Sequence, residues 1–215
     1  MMDRPSSSVS SDKEVCARFS KAYELLKEDG HDPQAIELLQ KNVLKNCTSS
    51  IVLLGDVYSQ GDETERKESI KLFRKAAALG DSSGMRNLGY CYAVGINVER
   101  DKEEGARWYT ESAEAGNARA MCNIGVMYDF GNGVPQDPGE AAKWYRMSAE
   151  QGNQYAQCSL GWLYRSGLGV ERNLAEAAVW YRKSAEQGNA NAQNCLALMY
   201  RSGSGVRQDY AEAAK

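Results

Sequence analysis

The sequence predicts an all-α protein built as a solenoid of helix pairs, and three observations predict it. The stretch EAAKWYRMSAEQGN at residues 140–153 returns as EAAVWYRKSAEQGN at 176–189, with only Lys143 changed to Val179 and Met147 to Lys183. Gly80, Gly116, Gly152 and Gly188 stand 36 residues apart, each followed by Asp81, Asn117, Asn153 or Asn189. A second set of glycines opens GINV, GNGV, GLGV and GSGV at Gly95, Gly131, Gly167 and Gly203. A fixed period between about 20 and 50 residues marks a stacked array of supersecondary units.

Each unit punctuates itself as two helices, A and B. Glycine tolerates the left-handed conformation that ends a helix, and the Asn or Asp after it accepts from the free amides that start the next one. The GxGV segment is the second break, and Asp101, Asp137, Asn173 and Asp209 are placed to cap the helix that follows. Helices A are expected at about 81–94, 117–130, 153–166 and 189–202. Helices B are expected at about 101–115, 137–151, 173–187 and from 209 onward. No segment shows the sustained alternation of a strand.

Upstream the period loosens. Ile70, Leu72 and Phe73 match Ile36, Leu38 and Leu39, 34 residues earlier, and Leu54, Gly55 and Tyr58 precede Leu88, Gly89 and Tyr92 by the same interval. Residues 14–79 are therefore expected to hold diverged helical pairs, and 80–215 tandem repeats of 36 residues with the last one incomplete. Residues 1–13 are polar and serine-rich; they read as a disordered tail or as a phosphorylation site. Lys215 stops one residue before the column of Trp108, Trp144 and Trp180. The template calls for further turns of helix B, so the repeats are expected to continue past 215 in a longer chain. Residues 203–215 are expected to fray or to dock on another copy, which makes end-to-end self-association through the truncated repeat a partner expectation.

The bulk numbers narrow the function classes. A formal net charge of -3 with no basic block argues against a nucleic-acid partner. No apolar run approaches the roughly 18 residues that span a bilayer, so membrane insertion is not expected. The N-terminus lacks the apolar stretch of a secretory signal, which points to the cytoplasm and leaves the nucleus open. The cysteines at 16, 47, 91, 122, 158 and 195 show no CxxC, and His31 is the only histidine, so neither metal nor cofactor is expected. Cys122 and Cys158 share one repeat column, and neighbouring helix axes about 8–10 Å apart are beyond disulfide reach for most pairs. Reduced, partly buried thiols follow.

The columns resemble the Sel-1-like repeat, a relative of the tetratricopeptide repeat. The residues that carry the likeness form A-x-x-x-L/I-G-x-x-Y, G-x-G-V and A-A-x-W-Y elements, over residues 80–215 and more weakly over 14–79. The resemblance implies a right-handed α/α superhelix of antiparallel helix pairs and a role in assembling protein complexes. It implies no chemistry. Ala197 departs from the column of Gly89, Gly125 and Gly161, and Gly84 from that of Ala120, Ala156 and Ala192. The regularly paired cysteines of secreted, cysteine-rich members are missing, which argues against an extracellular reading.

At about 100° per residue, residues 84, 85, 88 and 92 of helix A share the packed arc, and 83, 87, 90 and 94 form the opposite stripe. The stripe reads Arg119, Asn123, Val126, Phe130 in the second unit, Tyr155, Ser159, Trp162, Ser166 in the third and Asn191, Cys195, Leu198, Ser202 in the fourth. Packing columns stay fixed between units while this stripe changes. In the superfamily that the columns resemble, helix A lines the concave wall, so the resemblance places the stripe in a groove. The candidate partner-binding residues are Tyr90, Arg119, Val126, Phe130, Tyr155, Trp162, Arg165, Leu198 and Arg201. Solvent-facing aromatics anchor interfaces; packing against neighbouring helices A is the other reading of them, and plain surface charge the other reading of the arginines. Ala141, Ala142, Tyr145 and Ala149 on helix B, with their counterparts at 177, 178, 181 and 185, are expected in the core. Trp144 and Trp180 are expected to bridge to the next unit.

These features make a non-catalytic scaffold or adaptor the expected function, with a protein or peptide segment as partner. An interaction arm of a larger multidomain protein is the alternative. Glycine-rich phosphate loops and a nucleophile paired with a base are missing, and His31 stands alone in its loop, so a small-molecule hydrolase or binding role is a remote third reading.

Overall fold

The computed structural model describes residues 13–214; residues 1–12, which make up nearly all of the serine-rich segment, and Lys215 lie outside the described residues. The helices are α1 (Lys13–Glu28), α2 (Pro33–Val43), α3 (Thr48–Ser59), α4 (Glu63–Ala78), α5 (Ser82–Val94) and α6 (Lys102–Glu114). There follow α7 (Ala118–Phe130), α8 (Pro138–Glu150), α9 (Gln154–Ser166), α10 (Leu174–Glu186), α11 (Ala190–Ser202) and α12 (Tyr210–Ala213). No strand occurs among the described residues, and the helices run as consecutive pairs. The chain divides into two compact units, Met1–Ser112 and Ala113–Lys215, with the boundary inside α6.

In the first unit, α2 starts where Asp32 accepts from the Ala35 amide at 2.7 Å, with Pro33 in the first turn, where its missing N–H costs nothing. A reciprocal cap opens α4: Asp62 accepts from Thr64 and Glu65, and Glu65 Oε2 accepts from the Asp62 amide at 3.1 Å. Helix α3 is apolar almost all round, burying Ile51, Val52, Leu53, Leu54 and Val57. It is therefore the centre of the unit, packed with Leu26 of α1, Leu39 of α2 and Leu72 of α4. Asn42, fully buried, is satisfied by donating to the Val15 carbonyl and to Ser50 Oγ, both at 3.0 Å, and by accepting from Arg18.

In the second unit the punctuation read from the sequence is the punctuation observed. Asn117, Asn153 and Asn189 cap α7, α9 and α11, and Gly131, Gly167 and Gly203 end them in the left-handed conformation, with φ of 65°, 79° and 71°. Asp137, Asn173 and Asp209 cap α8, α10 and α12. Two interactions recur between the helices of a pair. A Cβ built on Gly125 would stand 2.8 Å from the Tyr145 ring, and one on Gly161 3.0 Å from Tyr181, so only glycine seats the ring there. The second is a bridge: buried Ser148 and Ser184 donate to the carbonyls of Ala118 and Gln154, the first residues of α7 and α9, at 2.6 and 2.7 Å. The first unit repeats both, with Gly89 under Tyr109 and Ser112 donating to the Ser82 carbonyl at 2.6 Å.

Trp180 packs against earlier elements of the chain, not toward the next repeat as expected. Trp180 lies in a cluster with Ala141 and Tyr145 of α8 and Leu160 and Leu163 of α9, all earlier in the chain. Trp108 likewise packs with Ile70 and Phe73 of α4 and Leu88 of α5. Helical side chains lean back toward the N-terminus of their own helix, and Val170 and Val98 from the loops before α10 and α6 pack against the same two clusters. Gly84 departs from the alanine column because a Cβ there would meet the Cβ of Ala76 at 2.5 Å. The six cysteines are free thiols, and burial pushes those of Cys91 and Cys122 up to about 11, which keeps them protonated.

Candidate partner-binding face

In the first unit, the 34-residue offset that aligns Tyr58 with Tyr92 also aligns Asp56 with Tyr90 and Gln60 with Val94. Asp56 and Gln60 therefore occupy the stripe of α3. They line a cleft of about 420 Å³ together with Asp29, Gly30, His31, Val57 and Gly61. Asn87, on the same stripe of α5, is buried and donates to Asp56 Oδ1 at 2.7 Å. Burial pushes the Asp56 carboxyl up to about 6, against the opposing pull of the Arg86 charge and the Asn87 hydrogen bond. His31 is not alone: its Nε2 lies 2.9 Å from Glu65 Oε1, tying the α1–α2 loop to the start of α4. The cleft lining holds carboxylates, an amide and an imidazole but no hydroxyl or thiol. Tyr90 and Val94, further along the α5 stripe, are half exposed, at 51% and 50%.

In the second unit the stripe runs over α7, α9 and α11. Val126 is 37% exposed, Phe130 67%, Tyr155 65%, Trp162 38% and Leu198 47%. The opposite side of the same helices is sealed: Ala120, Ile124, Ala156, Leu160, Leu163 and Ala192 are all at 0%. The periodicity follows from helix geometry, since residues three and four apart share a face. Asn123, Ser159 and Cys195 sit half-buried between the aromatics. Arg119 stands in the first turn of α7, and Arg165 and Arg201 in the last turns of α9 and α11. Of the nine candidate residues, eight lie on α7, α9 and α11 in the second unit, and Tyr90 lies on α5 in the first.

Three groups were not singled out in the sequence. Ser148 and Ser184 lay inside the repeated fourteen residues, where strict spacing was the available signal. Asp56 was legible from the offset of 34 but fell outside the regular period of 36. The third group is an arginine–tyrosine ladder on the flank of the packed face: Arg146 donates to the Tyr164 hydroxyl, and Arg182 to that of Tyr200 at 2.8 Å. The first unit has Arg74 on Tyr92, also at 2.8 Å. Each pair is 18 residues apart, a constant spacing that marks them in retrospect.

A solenoid of capped helix pairs with a fixed packing face and a stripe that changes between repeats defines an α-helical repeat protein. The Sel1 repeat family model matches residues 48–81, 82–117, 118–153, 154–189 and 190–215, and the chain belongs to that family. A Sel1 repeat protein from Oxalobacter formigenes is 33% identical over 93% of this chain and 84% of its own, with a TM-score of 0.84. A protein of uropathogenic Escherichia coli, described as a protective antigen displaying an SLR fold, is 35% identical over 93% of this chain, with a TM-score of 0.81. This chain spans 44% of that antigen's length. An immunity protein from Pseudomonas aeruginosa, 21% identical with a TM-score of 0.62, shares the fold. Comparison with curated proteins finds no match.

Proposed function

We propose that the protein is a non-catalytic interaction scaffold that receives a segment of a partner protein on the helix-A stripe of its second unit, with that stripe as the wall of a groove. Sel1 repeats act generally in protein–protein interaction, which supports the class. The observation that carries the location is the exposure of Phe130, Tyr155 and Trp162 on helices whose opposite sides are at 0%. Large aromatics left in water on a rigid surface lose little conformational freedom on binding and dominate interface energetics. No helix among the described residues is long and apolar enough to cross a membrane.

The test compares the wild type with Phe130→Ala plus Trp162→Ala in capture from the native cell. Each truncation is expected to weaken capture by about 2 kcal/mol if it removes a hot spot, while the urea midpoint stays within about 0.5 kcal/mol of wild type. Undiminished capture of the same partner by the double variant removes the stripe as the docking site.

A further inference from the structure

The charges of the second unit are sorted by helix type. Helices α8 and α10 are balanced: Glu140 and Glu150 against Lys143 and Arg146 on one, Glu176 and Glu186 against Arg182 and Lys183 on the other. Lys143 pairs with Glu140, and Arg146 and Arg182 are spent on Tyr164 and Tyr200. Helices α7, α9 and α11 are not balanced: they carry Arg119, Arg165 and Arg201 against a single Asp129. Asp129 is half-buried with its Oδ2 3.5 Å from the Tyr145 hydroxyl, turned toward the helix-B side of α7. Among the described residues Arg165 and Arg201 have no carboxylate in ion-pair reach, whereas Lys143 of α8 is paired with Glu140. A cationic stripe thus stands on a chain whose formal net charge is -3.

Helix stability explains part of this placement. Arg165 and Arg201 sit in last turns, where a cation offsets the helix dipole. Arg119 sits in a first turn, where the dipole disfavours it. The common property of the three is their side of the helices, beside Val126, Phe130, Tyr155, Trp162 and Leu198.

We infer that the segment received on this face is anionic, a peptide whose acidic side chains flank apolar anchors. This rests on the docking reading above and names the chemistry of its partner. The apolar anchors cover Phe130, Tyr155 and Trp162, and the carboxylates meet the guanidinium forks of Arg165 and Arg201, whose planar donors fit a carboxylate in pairs. Opposite charge on the rim speeds encounter and rejects basic segments more than it tightens the final complex.

The test uses three fluorescein-labelled synthetic peptides with the same Phe and Leu positions and with Glu, Gln or Lys at every position between, plus a single-stranded RNA oligonucleotide, each titrated by anisotropy against the full chain. The Glu peptide is expected to bind tightest, by about tenfold over Gln at low salt, and to lose that margin as salt screens it. Arg165→Gln with Arg201→Gln is expected to erase the margin, and Arg165→Glu with Arg201→Glu to shift preference to the Lys peptide, both with unchanged helical circular dichroism. Equal binding of the Glu and Gln peptides that still falls on Phe130→Ala with Trp162→Ala overturns the anionic partner and keeps the docking face. Binding that ignores Phe130→Ala with Trp162→Ala, or no binding by any peptide, overturns the docking face itself. Binding of the RNA through the same arginines, in place of the Glu peptide, also overturns the inference.

Discussion

Asp56 shows how one residue can be costly to the fold it belongs to. Its carboxyl, near 3.8 in an unfolded chain, stands at about 6 in the native protein. Between those values the native state keeps a proton that the unfolded state has lost, so stability falls as pH rises through the window, and the full penalty is present above about pH 6. The shift corresponds to at most about 3 kcal/mol. Asp56→Asn keeps an acceptor for Asn87 and removes the charge. It is expected to raise stability by about 1–3 kcal/mol at about pH 8 and to leave it unchanged near pH 4, measured by urea midpoints at the two values. An equal gain at both would show that desolvation of the charge is not the cause. The two indoles provide a second contrast. Trp180, at 7% exposure inside a cluster of α8 and α9 side chains, is expected to cost about 3–5 kcal/mol on truncation to alanine. Trp162, more than a third exposed, is expected to cost less than about 1 kcal/mol. Equilibrium unfolding of the two single variants, with the order reversed, would exchange their roles.

At the scale of the element, the caps were fully legible because they depend on backbone rules that act within a few residues. Gly152 with Asn153 and Gly167 with Asn173 end and begin helices at the boundaries expected. Contacts across a pair were less legible. The angle around a helix places Trp180 on a face but omits the backward lean of its side chain, and so the expected neighbour was the wrong one. Along the stripe the large side chains that differ between repeats, Val126, Phe130, Tyr155, Trp162 and Leu198, are exposed, whereas Asn87 is buried on Asp56, a long-range contact that the period alone does not reveal. The two positions at which the fourteen-residue copies differ, Lys143 against Val179 and Met147 against Lys183, are exposed in both copies. The glycine seat and serine bridge lead to a paired prediction. Gly125→Ala forces a methyl group against the Tyr145 ring and is expected to cost about 1–3 kcal/mol through overpacking. Ser148→Ala leaves the Ala118 carbonyl without its partner and is expected to cost about 1 kcal/mol. Thermal unfolding of both variants checks the order, and a Gly125→Ala protein as stable as wild type would mean the ring shifts freely.

Across the molecule, each unit has a core of its own. Leu26, Leu39, Ile51 and Leu54 cluster in the first, and Tyr145, Leu160 and Leu163 in the second. In repeat arrays stability is close to a sum of nearest-neighbour terms, so damage stays near where it is done. Tyr145→Ala is expected to raise amide exchange strongly in α7, α8 and α9 and to leave α1–α4 protected as in the wild type. Uniform loss of protection along the whole chain would show a single cooperative block instead. The glycine seat and the serine bridge have one more consequence. Both are written at the same places in successive repeats and both close within one helix pair, so each repeat carries its own seat and its own bridge. An in-frame duplication of 36 residues inserts a helix pair whose internal fit is already complete, whereas a change at 126, 155 or 162 alters only what the surface meets. Growth and specificity can therefore evolve by separate mutations, neither of which has to wait for the other.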